Sequence, residues 1–320
     1  MAVFSFSNIL QVVIALIIIL ILYIITLVVL NIDSIVTGVD VTVKPNEQIK
    51  VFQGYANVST LLNKQWNTVK QFATNFIKIP RSVNTPGGAQ FTYQFWIKIN
   101  DANDIYYKNL PILLRGDSNP YKIGVYPKDS QKTGLVQTYP ADAYIRCPLI
   151  QFDNSWRNLI VKFNTFNHPL TEIPIRMNPE GGAGVRRNLL SLLPANWYLM
   201  TFIFVDNYSI VNSVENGIKF QFYLNDVLYQ TNSASTEMAL RNNYLKQNDG
   251  NLYLLPNTSV TNGDFMSLGN LSYMNYAPDV EEIRSTFNRG PPSFPVQFTK
   301  DEDYKPAVLS AYNKLDIYNY

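Results

Sequence analysis

Apolar positions follow three different rhythms along this chain. From Ile9 to Leu30 the sequence reads ILQVVIALIIILILYIITLVVL, with no charged residue and only Gln11 and Thr26 as clearly polar interruptions. At about 1.5 Å per residue a helix of this length reaches about 33 Å, enough to cross a hydrocarbon core of roughly 30 Å. A helix satisfies its own backbone in lipid, where free N–H and C=O groups find no partner, so the many β-branched residues do not argue against one. The pattern predicts a transmembrane helix over 9–30 behind a short tail, residues 1–8. A cleaved signal peptide fits poorly, because MAVFSFSN carries no Lys or Arg and no Ala-x-Ala site precedes the polar sequence. A buried core helix or an interfacial helix would show a polar or charged face, and this stretch has neither.

The second rhythm is helical and follows a mixed segment. Residues 31–56 alternate valines with polar residues and are broken by Gly38, Pro45 and Gly54, which predicts an extended stalk. Val58, Leu62, Trp66, Val69, Ala73 and Phe76 then recur every three to four residues, predicting an amphipathic helix over 57–76. That helix would pack on the following domain, or dock on a partner or the membrane surface. Stalk and helix together occupy 31–78.

The third rhythm has a period of two. After the turn sequence IPRSVNTPGGAQ, Phe91, Tyr93, Phe95, Ile97 and Ile99 alternate with Thr92, Gln94, Trp96, Lys98 and Asn100. Further strand-like runs lie at Leu110 to Leu114, Leu149 to Phe152, Leu159 to Phe163, Trp197 to Val205, Ile218 to Leu224, Leu252 to Leu255 and Phe265 to Tyr273. A short helix is expected at Pro278 to Phe287, with Asp279 near its start and Gly290 beyond its end. Many short strands between Gly, Pro, Asn and Asp predict an all-β antiparallel sandwich or jelly roll over 79–292. The tail 293–320, with its prolines and tyrosines, reads as an arm that wraps its own sandwich or inserts between neighbouring subunits.

Composition narrows the partners. Only 16% of the 320 residues are charged, against about 25% in an average soluble protein, and the net charge is +2 without basic clusters. Nucleic acid is therefore not an expected partner, since its binding rests on concentrated Lys and Arg. The nearest basic residues to the apolar helix are Lys44 and Lys50, a weak vote for a cytoplasm-like side for the domain. Cys147 is the sole cysteine, which excludes an intrachain disulfide and leans the same way. Four Asn-x-Ser/Thr sequons, at Asn57, Asn207, Asn257 and Asn270, pull against it, but an Asn-rich chain generates them by chance.

The runs QFTYQFWIKI, ILLRGD, NWYLMTFIFV, GIKFQFYLND, GNLYL and LGNLSYMNYAPDVEEIRSTFNRGPP resemble the concanavalin A-like, laminin G-like jelly roll. More narrowly, RSVNTPGGAQFTYQFWIKI, RCPLIQF, RRNLLSLLP and NYAPDVEEIRSTFNRGPP resemble a membrane-anchored group encoded by large nucleocytoplasmic DNA viruses, over about residues 50 to 292. The resemblance implies a virion protein, a minor capsid component at the interface of inner membrane and shell. The fold itself hosts lectins, glycosidases, adhesion modules and structural proteins. Some proteins of this fold bind calcium through loop carboxylates, which makes Asp117, Asp153 and Asp206 the candidate metal ligands. Calcium needs six to eight converging oxygens, which sequence separation does not establish.

Catalytic readings find little support in the residues. Glycosidases of this fold would carry Glu-x-Asp-x-x-Glu or Glu-x-Asp-x-Glu on a strand, and neither is present. Glu281 with Glu282, and Asp301 to Asp303, read as solvated charges. His168 is the sole histidine, so Cys/His zinc sites are excluded within one chain. Cys147 with His168 remains an arithmetical nucleophile pair, although Cys147 in IRCPLIQF reads as a small buried thiol. NPEGGAG, 178–184, lacks the Gly-Lys-Ser/Thr ending of a phosphate loop, and Arg186 with Arg187 beside it read as solvated or as a contact for an acidic partner or lipid headgroup. RGDS at 115–118 ends a strand and reads as turn chemistry. Among the tryptophans, Trp96 and Trp197 sit in strand runs and read as core or inter-sheet residues, which leaves Trp156 as the candidate for stacking on a sugar.

The sequence therefore points to a non-enzymatic, cofactor-free, single-pass membrane protein. Its expected partners are the bilayer through Ile9 to Leu30 and capsid or other virion proteins through the sandwich and arm. The competing reading is a carbohydrate-binding attachment protein on a membrane or virion surface.

Overall fold

The structure is a computed structural model that describes residues 14–23, 46–68, 73, 75–80, 82, 88–101, 106–116, 146–154, 158–167, 171–175, 195–208, 215–248, 250–256, 258, 263–296 and 298. The chain divides into two compact units, Met1–Lys44 and Pro45–Tyr320. In the first, residues 14–23 form a helix, α1, in which every side chain is exposed, including eight Ile and Leu residues at 48–62%. Ten residues rise only about 15 Å. Among the described residues no helix is long and apolar enough to cross a membrane, and the expected span 9–30 runs past the described part of α1 at both ends. The stalk residues 31–45 also lie outside the described residues.

The second unit is a sandwich of two antiparallel sheets. The first has the order β1 (Gln48–Lys50), β13 (Met266–Met274), β4 (Gln90–Ile99), β9 (Trp197–Asn207), β10 (Gly217–Leu224) and β11 (Val227–Asn232), with β2 (Tyr55–Asn57) also pairing β13. The second has the order β3 (Lys64–Trp66), β12 (Asn251–Leu254), β5 (Pro111–Gly116), β6 (Arg146–Phe152), β7 (Leu159–Phe163) and β8 (Thr171–Ile175). The inner faces follow from alternation. Phe91, Tyr93, Phe95 and Ile97 of β4 meet Met200, Phe202 and Phe204 of β9 and Phe220 and Phe222 of β10 in one buried layer. Phe91 stacks on Phe204 at 4.8 Å between centroids, and Phe163 of the opposite sheet meets Phe204 edge-on at 5.6 Å. Burial of each such ring contributes about 1.5–3 kcal/mol.

The outer face of the first sheet is partly covered. Helix α3 (Val280–Asn288) lies across it, with Ile283 fully buried against Ile203 and Tyr223. The Asp279 side chain accepts the Glu282 amide at 2.8 Å, and Glu281 and Glu282 sit in the first turn where the helix dipole favours them. Gly290, at φ +83°, takes the left-handed conformation that ends the helix. Residues 291–296 then run back over the sheet as a strap.

Two expectations need correction. The helix expected over 57–76 is a single turn, α2 (Val58–Leu61), after which Asn63 turns left-handed at φ 54° and β3 begins. Val58, Leu61 and Trp66 are fully buried, but α2 and β3 each turn them inward separately, because β3 pairs with β12 some 190 residues later in the chain (Trp66↔Leu252). The sandwich does not begin at residue 79: the end of the stalk supplies β1 and β2, and the segment 64–66 supplies β3. Of the tail, 293–296 and Phe298 pack on the sandwich, while 299–320 lie outside the described residues.

Candidate functional site

Of the calcium candidates, Asp153 and Asp206 lie apart. Asp117 lies outside the described residues. Asp153 closes the turn after β6: its carboxylate accepts Asn158 Nδ2 at 2.8 Å, and its amide donates to the Asn158 carbonyl at 2.9 Å. Asp206 lies beyond the other end of β6, where the segment after β7 meets Leu245 and Asp206 accepts the Leu245 amide. A seven-residue strand spans roughly 20 Å, so the two carboxylates cannot share an ion. Among the described residues no three His, Cys, Asp or Glu side chains come together as metal ligands would.

Asp206 points into the sandwich and is 5% exposed. Its two oxygens accept the amides of Leu245 at 2.8 Å and Ala89 at 3.2 Å, joining β9 to the segments before β4 and before β12. Burial pushes its carboxyl up to about 7, against the pull of those two amides. This carboxyl organises loops, each of its oxygens accepting a backbone amide.

Cys147 is buried beside it, 3% exposed, and burial raises its thiol to about 12. A nucleophile needs thiolate and access, and Cys147 has neither. His168, its arithmetical partner, lies outside the described residues, as do Trp156, Arg186 and Arg187. Arg115 of the RGDS sequence is 3% exposed, its guanidinium donating to the Ile79 carbonyl at 3.2 Å and lying 5.7 Å from the Tyr273 ring centroid. It is a core residue and cannot reach a receptor.

The surface that does gather chemistry is the part of the first sheet's outer face around Lys98 and Trp197, next to the row that Phe287 and Pro292 cover. Alternation along β9 sends Tyr198, Met200, Phe202 and Phe204 inward and Trp197 outward, opposite Lys98 of β4. Trp197 is half-buried. Lys98 Nζ stands 5.6 Å from its ring centroid, and Tyr55 of β2 approaches the same ring at 5.9 Å. The rings meet because the intervening β13 carries only Ser267 and Gly269 there, Gly269 lying directly between Tyr55 and Trp96 in the ladder.

A polar margin adjoins the rings. Ser267 Oγ donates to Asn57 Oδ1 at 2.7 Å and accepts Asn100 Nδ2 at 3.1 Å. Asn57 Nδ2 donates to Asp264 Oδ1 at 2.7 Å, and Asn100 Nδ2 to the Asp264 carbonyl at 2.8 Å. Tyr55 and Asn57 are two apart on β2, while Asn100, just past the end of β4, and Asp264 are tied by these hydrogen bonds to Asn57 and Ser267, beside the rings and Lys98. Asn100 and Asp264 are exposed. The combination of an aromatic platform with a few placed polar groups can hold a hydroxylated ligand.

The sequence reading put Trp197 in the core with Trp96. Trp96 is indeed 2% exposed, but beneath Phe287 of α3 and not between the sheets. The period of two in WYLMTFIF carried the signal that Trp197 faces outward. Tyr55 carried none, because its strand is three residues long. A separate polar cleft of about 220 Å³ lies between Lys219 of β10 and the turn 233–235, with no aromatic ring in its lining.

No family model matches the chain, and no curated protein matches it. Solved structures similar to it include the botulinum neurotoxin serotype D ligand-binding domain in complex with N-acetylneuraminic acid, at 10% identity over 78% of this chain and 44% of that one, with a TM-score of 0.38. The botulinum neurotoxin serotype G binding domain is similar at 11% identity over 78% and 48%, with a TM-score of 0.39. The binding domain of Paraclostridial Mosquitocidal Protein 1 is similar at 14% identity over 63% and 37%, with a TM-score of 0.35. The chain spans less than half the length of each of these structures.

Proposed function

We propose that this protein is a non-enzymatic β-sandwich of the jelly-roll type, held beside a membrane by residues 9–30, that binds carbohydrate on the outer face of its first sheet. The observation that carries the reading is the clustering of Tyr55, Lys98 and Trp197 with Asn57, Asn100 and Asp264 on one open face. Sugar rings present apolar C–H faces to aromatic rings and hydroxyls to amides and carboxylates, and this patch offers both. The likeness to toxin binding domains, at TM-scores of 0.35 to 0.39, assigns no ligand to this surface. Apolar α1, with all its side chains exposed, is the described part of the tether.

The test is glycan-array binding by the full chain in detergent, compared with Trp197→Ala and Lys98→Ala. Binding that falls at least tenfold in Trp197→Ala, while the melting temperature holds, supports the assignment. Absence of any glycan bound by the wild type, or binding indifferent to Trp197, overturns it.

A second reading keeps the protein as a structural attachment between the inner membrane and capsid of a large DNA virus particle. It is favoured by the C-terminal segment, which already behaves as a contact-forming strap at 291–296 and Phe298. Surface protease treatment of purified particles separates the two: a protected sandwich that crosslinks to capsid protein favours attachment, and a digested, exposed one favours glycan binding.

A further inference from the structure

The strap ends in a slot. Beyond Gly290, Pro291 and Pro292 the chain crosses Gly269, where a Cβ would stand 2.3 Å from Pro292 Cγ, and runs beside β2 in parallel. The Tyr55 amide donates to the Phe294 carbonyl at 2.9 Å, and the Val296 amide donates back to the Tyr55 carbonyl at 2.7 Å. Gly54, at φ +89°, has no room for a side chain because Phe294 and Val296 lie within 2.8 Å of where its Cβ would be. Two residues on, Phe298 enters a slot walled by Phe52 at 6.2 Å and Trp66 at 6.4 Å, both edge-to-face, with Lys64 Nζ 4.5 Å above its ring.

We propose that this rim is a docking site for an extended segment of the pattern Phe-Pro-Val-x-Phe, and that residues 294–298 are its displaceable occupant in cis. The elements of a peptide site are present: a strand that pairs through alternate backbone groups, and an aromatic pocket for one anchoring side chain. Three features make the occupant displaceable. Val296 and Phe298 are only half-buried. Gly290, just ahead of the strap, has open space around its Cβ position among the described residues. Among the described residues Trp66 Nε1 is buried and makes no hydrogen bond, so the described strap fills the pocket without satisfying its one donor. The walls of the slot, Phe52 and Trp66, pack against each other at 6.3 Å and belong to the core, so the pocket persists when Phe298 leaves it.

The experiment titrates a labelled synthetic peptide of residues 291–300 into the full-length wild type and into Phe298→Ala, in detergent, by fluorescence anisotropy. Phe298→Ala should bind at least tenfold more tightly than the wild type, whose pocket is filled, and Trp66→Phe introduced into Phe298→Ala should change the affinity because it alters the pocket wall. Hydrogen exchange in β4 and β9 checks that each variant is folded. Failure of a folded Phe298→Ala to bind, or equal binding to wild type and variant, overturns the proposal. Because the slot lies at the sandwich rim and Trp197 on its outer face, loss of glycan binding and loss of peptide binding are read separately.

Discussion

Phe287 of α3 stacks on Trp96 of β4, ring centroids 6.0 Å apart and planes 19° from parallel. This pair turns the outer face of the first sheet into a second, smaller core. Phe287→Ala should destabilise the protein by about 1–3 kcal/mol, less than a fully buried ring would, because Phe287 is half-buried. Chemical denaturation measures the loss, and tryptophan emission should move to the red as water reaches Trp96. Unchanged stability with unchanged emission would show that the helix does not rest on the sheet.

Asp206 makes stability depend on pH in a direction opposite to that of a salt-bridged aspartate. Its folded value of about 7 lies above the ordinary 3.8, so the native chain holds this proton more tightly than the unfolded one. The stabilisation is complete below the unfolded value and is lost as pH rises through about 7, a decline on the order of a few kcal/mol. Denaturation curves of wild type and Asp206→Asn between pH 4 and 8 should therefore diverge in slope. A difference that stays constant over that interval counts against the buried, proton-holding carboxyl.

Cys147 should resist alkylation. Burial and a thiol value of about 12 against an ordinary 9 leave about a thousandfold less thiolate at neutral pH than a free cysteine has, before access is considered. Mass spectrometry after iodoacetamide treatment should find native protein unmodified and urea-unfolded protein labelled once. Rapid labelling of the native chain would reopen the question of a reactive thiol.

Three of the four sequons have side chains already committed. Asn57 Nδ2 donates to Asp264 at 2.7 Å, Asn207 Nδ2 to the Glu215 carbonyl at 3.2 Å, and Asn270 Oδ1 accepts the Gly54 amide at 2.8 Å. Protein expressed at full length in a eukaryotic cell should show no mass change at these three sites on treatment with an N-glycosidase. A folded product with a glycan on Asn57 would contradict the hydrogen-bonded arrangement around Ser267.

Local periodicity was a good guide where a strand is long and half its residues face one core. The runs at 91–99, 159–163, 197–205 and 218–224 coincide with β4, β7, β9 and β10 within a residue or two, and Asp279 caps α3 as its position suggested. It failed where pairing partners are remote. β3 and α2 together mimic a helical stripe, because Val58, Leu61 and Trp66 are all buried by contacts made with the other end of the chain. β8 escaped notice because Pro174 interrupts it, which an edge strand tolerates, and β11 because its exposed Val227 and Leu228 break the inward alternation. The aromatic patch was only half legible: Trp197 could be aimed outward by counting residues, whereas Tyr55 arrives beside it through the pairing of β2 with β13.

The strands that open the sandwich are completed by residues made more than two hundred positions later. Glu47 donates to Asn275 across 228 positions, and the Gly54 amide reaches Asn270 across 216. At about 5–20 residues per second, a ribosome takes roughly 10 to 45 seconds to produce the partners of β1 and β2 after those strands emerge. During that interval Phe52 and Trp66 have neither sheet nor strap to cover them. Newborn chains therefore pass through a stage in which the segment next to the apolar helix is itself sticky, and a chaperone that recognises aromatic extended peptide would find residues 48–66 before the protein's own C-terminus does.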